Sequence, residues 1–228
     1  MLTSKELRVK AWNSLKGKYW RAFLVILVLG LLASIGTSLE TGSQDLIDLV
    51  NMVDPSEMDA DMELGAAVIS TAAAIIGIVG MVITLFVGNA ADVGLAHYFI
   101  LNTDSKPSFA DAFYGFKVKY LRNIGTLLLV GIKIVLWSCL LLVPGIIKSI
   151  EYSIIPYILA DDAEISSKEA FKKAKEMMMG NKWRLCKLYI SFFGWFVLCV
   201  VTCGVGTPFL LPYVSAANAE FYAELKNK

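Results

Sequence analysis

Polar and apolar positions follow two rhythms in this chain. In Thr3–Tyr19, Leu7, Ala11 and Leu15 recur every fourth position, with Lys5, Arg8 and Lys16 around them. That spacing predicts an amphipathic helix. The next rhythm is unbroken: Ala22–Leu39 carries no charge, and neither does Leu64–Gly88. Further apolar runs follow at Asn123–Leu142, Ile146–Ala160, Leu188–Cys203 and Pro208–Tyr222, three of them holding isolated charges. A helix crosses the ~30 Å hydrocarbon core with roughly 20 apolar residues. The pattern therefore predicts an all-α, polytopic helical membrane protein with about six transmembrane helices as three hairpins, its amphipathic interfacial helices on the cytoplasmic side. Val143-Pro144-Gly145 and Gly204-Val205-Gly206-Thr207-Pro208 read as tight outer turns, and Pro212 as a kink in the last span. The helical pattern of the second span continues through Asn89–Leu101 and carries Asp92 and His97 to the inner interface.

The amphipathic rhythm occurs twice with related residues. Ser166–Arg184, shifted by 163 residues, lies on Thr3–Arg21 without a gap. Ser4/Ser167, Lys5/Lys168, Glu6/Glu169, Lys10/Lys173, Ala11/Ala174, Gly17/Gly180, Trp20/Trp183 and Arg21/Arg184 are identical. Both copies open with a capping box, Thr3-x-x-Glu6 and Ser166-x-x-Glu169. Ser108–Arg122 reads as a shorter third copy, with Ser108 and Asp111 as its cap and Ala112-Phe113 echoing Ala170-Phe171. A single membrane domain, 1–228, with pseudo-repeat units near 1–102, 103–160 and 161–228 follows. An even number of spans per unit predicts parallel repeats about an axis along the membrane normal.

Composition sharpens this picture. Apolar residues make up 57% of the chain, and mean hydropathy is +0.62. The formal charge of +1 hides a sorting of signs. Basic residues gather at Lys5–Arg21, Lys106–Arg122 and Lys168–Lys187, whereas 40–63 holds eight carboxylates and neither Lys nor Arg. By the positive-inside rule that acidic loop is extracytoplasmic and both termini are cytoplasmic, in a cell (cytoplasmic) membrane. Such sorting reads as topology and argues against nucleic acid as a partner. The run Ala22–Leu39 exceeds a signal-peptide core and no small-residue cleavage site follows, so Met1–Gly36 reads as retained.

One stretch also carries a family resemblance. LVPGIIKSIEYSIIPYILADDAEISSKEAFKKAKEMMMGNKWRL, with SFFGW, TCGVGTPFLLPYV and AEFY after it, resembles the bacterial membrane-protein family catalogued as domain of unknown function 975. DVGLAHYFI and FADAFYGFK fit the same pattern upstream. The resemblance implies a multi-pass protein of the bacterial cytoplasmic membrane and carries no functional residues with it. A fainter likeness to the membrane domain attached to some glycerophosphodiester phosphodiesterases implies a lipid-related setting by analogy.

Few residues are candidates for chemistry. Lys133 in the third span and Glu151 in the fourth form a candidate intramembrane polar pair, because lone charges at that depth are costly and tend to pair or serve transport. The competing reading pairs Glu151 with Lys148 at i, i+3 and leaves Lys133 to another partner. Asp92 and His97 are a candidate proton relay, or ordinary interface residues. Lys168, Lys172, Lys173, Lys182, Trp183 and Arg184 are candidate interfacial lipid contacts, their charges also explained by topology alone. Met177-Met178-Met179 reads as the apolar face of an interfacial helix. Cys139, Cys186, Cys199 and Cys203 sit in or beside apolar runs and read as buried small hydrophobes. The acidic loop lacks calcium-loop spacing, and one His excludes a multi-His metal centre, so no metal or cofactor is expected.

Nucleophile, metalloprotease and phosphate-loop motifs are absent from the sequence, which argues against an enzyme. The expected function is an accessory or structural membrane protein acting through membrane lipids or a membrane-protein partner. The alternative is a small transporter or export component with a polar cavity near Lys133 and Glu151.

Overall fold

The computed structural model describes residues 2–54, 58–202 and 204–227. Among them are eleven α-helices and no strand: α1 (Ser4–Leu15), α2 (Tyr19–Asn51), α3 (Ala60–Ile83), α4 (Asn89–Asp104), α5 (Tyr114–Lys117), α6 (Tyr120–Leu140), α7 (Leu142–Tyr152), α8 (Ile155–Asp161), α9 (Ser167–Met178), α10 (Lys182–Val201) and α11 (Thr207–Lys226). A π-helical turn, Thr84–Gly88, joins α3 to α4, and a 3-10 turn, Phe109–Phe113, leads into α5. Five helical stretches among the described residues are long and apolar enough to cross a membrane: Tyr19–Asn51, Ala60–Asp104, Tyr120–Leu140, Leu142–Asp161 and Lys182–Val201. α11 is not among them. It carries Glu220, Glu224 and Lys226, and it buries Ala216, Ala217, Ala219 and Phe221 against other helices.

Local chemistry explains how the basic helices start and stop. Thr3 caps α1 and Ser166 caps α9, each in a reciprocal box with Glu6 or Glu169. Hydrogen bonds from the Thr3 backbone and hydroxyl hold the Glu6 carboxyl below its usual range. The Ser166 hydroxyl and backbone do the same for Glu169. The ionised boxes therefore stabilise the helices at neutral pH, and that contribution is lost as pH falls through the lowered values. Leu7, Ala11 and Leu15 are buried on α1, and Ala170, Ala174 and Met178 at the corresponding positions of α9. Gly17 at φ +73° and Gly180 at φ +76° then turn the chain into α2 and α10, in a conformation that penalises a Cβ.

The chain forms two compact units, Met1–Leu29 with Asn89–Lys228, and Gly30–Gly88. The core of the first is α4, with Ala90, Val93, Ala96, Tyr98 and Phe99 all buried. α1, α6, α8 and α11 pack on it, as does the 109–117 segment. Glycine permits the closest approach: a methyl group on Gly94 would collide with the Ala112 carbonyl, and one on Gly115 with the Ala90 carbonyl. In the second unit α2 and α3 meet through small residues. A methyl on Gly80 would lie 2.7 Å from the Gly36 carbonyl, and one on Gly77 would lie 2.7 Å from the Ser43 hydroxyl. Such faces let helix backbones approach where no hydrophobic force separates lipid from protein.

Several sequence-based boundaries move. The first entry helix ends at Leu15 rather than Tyr19, because Gly17 breaks it. Residues 40–51 are the end of α2 rather than loop, and of the described residues before Ala60 only 52–54, 58 and 59 leave the helix; the rest of the acidic stretch there, Glu57 included, lies outside the described residues. Asn89–Asp104 does continue the second apolar run as helix. The Ser108 and Asp111 cap forms, but Lys119 at φ +47° cuts the third copy short. The turn between α6 and α7 is Leu141, extended at φ −160°; Val143-Pro144-Gly145 is already helical, as Pro fits a first helical turn. The fourth run breaks at Ser153-Ile154 before Pro156. Pro212 lies inside α11. Cys139 is exposed, not buried, while Cys199 is buried and Cys203 lies outside the described residues.

Two substitutions test this packing. Gly94→Ala forces a Cβ into backbone that cannot yield and should cost about 1–3 kcal/mol, as overpacking does. Ser166→Ala removes a cap and should cost about 1 kcal/mol. Thermal unfolding of the purified protein in mild detergent measures both.

Candidate functional site: a charged girdle and an aromatic cleft

Glu151 is an almost fully enclosed charge with two partners. Its side chain is 2% exposed, and the carboxylate receives Lys148 at 2.8 Å through one oxygen and Lys182 through the other. Lys148 comes from the same helix one turn earlier, and Lys182 is the first residue of α10. This corrects the Lys133–Glu151 pair. The Lys133 ammonium lies 3.4 Å from the centroid of the Phe171 ring on α9 instead. The reason is geometric: the α9–α10 turn delivers Lys182 to Glu151, and both carboxylate oxygens are then taken. A carboxylate held by two ammonium donors from two helices is a structural tie. Lys148, Glu151 and Lys182 tie α7 to α10, and with Lys133 on the Phe171 ring of α9 they make up a girdle of charges on α6, α7 and α10.

The candidate lipid contacts divide. Lys182 is committed to Glu151, and Arg184 donates to Glu224, the Asn181 side chain and the Leu2 carbonyl. Those two ties hold helices together. Lys168, Lys172 and Trp183 are exposed and Lys173 is half-buried. Lys172 and Lys173 line a surface cleft of about 590 Å³ together with Asp162, Glu164, Glu169 and Glu176. Carboxylates outnumber lysines there, so the cleft is not a simple anion trap. In the methionine run, Met178 is buried in the α9 interface and Met179 is 72% exposed at its end. His97 lies 3.1 Å through Nδ1 from the Ala160 carbonyl and stacks on Tyr114 with centroids 3.8 Å apart. It joins α4 to α8 and α5, so the structure gives it a packing role. Among the described residues no group of three or more His, Cys, Asp or Glu side chains could hold a metal ion.

Sequence reasoning missed the other feature. A cleft of about 600 Å³ is walled by Trp12, Tyr19, Trp195, Leu198, Cys199, Thr202, Val205, Gly206, Phe209, Leu210 and Tyr213. It lies between the end of α1, the start of α2, and the distal halves of α10 and α11. Rings frame it: Trp12 meets Tyr213 edge-on at 6.0 Å, Phe192 meets Tyr213 at 5.0 Å, and Phe23 stacks on Phe209 at 5.0 Å. Two of its three hydroxyls, those of Tyr19 and Thr202, are turned to backbone. Tyr19 donates to the Phe209 carbonyl at 2.6 Å, and Thr202 donates to the Leu198 and Cys199 carbonyls and accepts from Gly206 N–H. What remains is an apolar slot, suited to a chain without polar groups. The available signal was the aromatic enrichment of Trp12, Tyr19, Trp195, Phe209 and Tyr213, but nothing in their spacing shows that three separated segments converge.

The girdle makes a comparison possible. Glu151→Gln leaves two ammonium groups with a weaker acceptor in a buried site and should cost roughly 1–3 kcal/mol. Lys133→Met removes only a cation–ring contact and should cost about 0.5–1 kcal/mol. Equal thermal shifts for the two variants in detergent would contradict this assignment.

Neither the curated proteins nor the solved structures gave a match to the chain. Residues 140–228 match a family model described as protein of unknown function (DUF975). That stretch supplies the α6–α7 turn, Glu151, Lys182, Arg184 and most of the aromatic cleft, and over it the chain is similar to the family of domain of unknown function 975.

Proposed function

We propose that this chain is a multi-pass protein of the cytoplasmic membrane, both termini on the cytoplasmic side, that acts as a lipid-binding accessory protein rather than an enzyme or a transporter. The observation that carries this reading is the aromatic cleft of about 600 Å³. Its walls are mostly apolar and the Tyr19 and Thr202 hydroxyls are satisfied by backbone, so the ligand it suits is an acyl chain of a membrane lipid. The helices that build it expose Ile190, Phe193 and Val197, side chains fit for contact with lipid. The transport reading finds less support. Glu151 is neutralised by two lysines, and neither Lys133 nor Glu151 lines this cleft.

The repeat pattern fits the same reading. Arg122 donates to the carbonyls of Ala163 and Ile165, just before the Ser166 cap, and Arg184 donates to the Leu2 carbonyl, just before the Thr3 cap. Arg21 lines a cleft with Pro107, just before the Ser108 cap. We read this as three units in cyclic order, each span helix bracing the next entry helix.

Mass spectrometry of the protein extracted from native membranes in mild detergent tests the function. We expect about one tightly held lipid per chain. Leu198→Trp, which fills the cleft, should lose that lipid while keeping its thermal transition. Undiminished lipid in the variant, or a stoichiometric protein partner without lipid, would overturn the cleft assignment.

A further inference from the structure

The charged girdle sets the depth of the helices around it. Lys182 opens α10 directly after the exposed, basic α9 and its glycine turn, so it stands at the level of the interfacial helices. Its ammonium is bonded to Glu151, which places Glu151 at that level too. From Glu151 back to the Leu141 turn is ten residues, about 15 Å of helix. On the other leg, Lys133 touches Phe171 of α9, and eight residues, about 12 Å, separate it from Leu141. Beyond the girdle, 134–147 carries no charge. The tip of this helical pair therefore lies only about 12–15 Å past the interfacial layer, half of the ~30 Å hydrocarbon thickness.

The chemistry of the tip agrees. Leu140, Leu141, Leu142 and Val143 are 72%, 68%, 73% and 66% exposed, with no polar side chain among them. A tip in water would leave all four wet. The α10–α11 pair repeats the pattern: beyond the last charge on each leg, Lys187 and Glu220, the runs Leu188–Val201 and Thr207–Ala219 are about 21 and 20 Å long. Its tip exposes Val200, Val201 and Val205. α6 and α10 reach spanning length only because their first turns are packed into the protein, through Asn123, Ile124, Thr126 and Leu127 in one and Leu185 and Leu188 in the other. The first apolar pair differs. Ala22–Leu39 and Leu64–Gly88 give about 27 and 37 Å without a charge, and their connection is acidic.

We propose that the α6–α7 and α10–α11 pairs are re-entrant: they enter one leaflet from the side of the basic helices, end in its acyl chains, and turn back. The partner of both tips is the hydrocarbon of that leaflet, and only the first apolar pair crosses. This shares with the lipid-cleft reading the premise that the apolar helices lie in a bilayer, but it does not depend on what the cleft holds.

Thiol accessibility in sealed vesicles of both orientations tests it. The probe is a membrane-impermeant maleimide, read site by site by mass spectrometry. In the natural chain Cys139, exposed and two residues from the turn, should be unreactive from either face and react after detergent. Val143→Cys and Val205→Cys, each with the four natural cysteines replaced by alanine, should behave the same way, while Asp48→Cys in that background reacts from one face. Reaction at residue 143 or 205 from the face that labels residue 48 would mean that the pair crosses, and reaction from the opposite face would mean that the tip is in water. Either overturns the proposal. If the alanine background does not fold, Cys139 in the natural chain decides alone. Retention of lipid by the cleft is measured separately and would be unaffected by any of these outcomes.

Discussion

Two arginines carry the constraint on which the packed body depends. A helix cap satisfies N–H groups inside its own helix, but the carbonyls just before the cap point outward and need donors from elsewhere. Arg122 supplies them to the start of α9, at 2.5 and 2.9 Å, and Arg184 supplies one to the start of α1 at 2.8 Å. Each arginine stands near the start of a long apolar helix, so the donor also fixes where that helix leaves the body. Arg184 adds Glu224 of α11 to the same knot, which ties the beginning of the chain to its end. Guanidinium suits this task because its fork of donors reaches several acceptors at once and it stays charged.

The girdle uses the same logic with lysine. A carboxylate buried as deeply as Glu151 is tolerable only when its oxygens are filled, and Lys148 and Lys182 fill them. Because Lys182 belongs to α10 and Glu151 to α7, the pair also sets the relative height of two helices. Apolar tips beyond it have no such tie. Their exposed leucines and valines make sense only where the surroundings are as apolar as they are. The glycines act at the other end of the scale: Gly94 and Gly115 bring α4 and the 109–117 segment into backbone contact, and no larger side chain leaves room for that.

Much of this was legible from neighbouring residues alone. Thr3, Ser108 and Ser166 announced three capped starts, and all three caps form, because a capping box is closed within four residues. Leu7, Ala11 and Leu15 were readable as a buried face, since four-residue spacing fixes a side of a helix whatever it packs against. Turn positions were less legible. Val143-Pro144-Gly145 looked like a turn by composition, yet proline serves equally in a first helical turn, and Leu141 breaks the helix instead. The polar look of 40–63 hid the continuation of α2, since an acidic helix satisfies its own backbone as well as an apolar one.

What the sequence by itself determined is therefore what short-range physics controls: apolar length, helix caps, left-handed glycines and the sorting of charge. Only the tertiary structure decided which partner Glu151 takes, since Lys133, Lys148 and Lys182 are all chemically adequate and the choice depends on where the α9–α10 turn sets Lys182 down. It also decided the aromatic cleft, because Trp12 and Tyr19 are far in the chain from Trp195 and Phe209 and meet them only once α1 and α2 are packed on α10 and α11. Periodicity tells which face of a helix is apolar. It does not tell which other face comes to meet it.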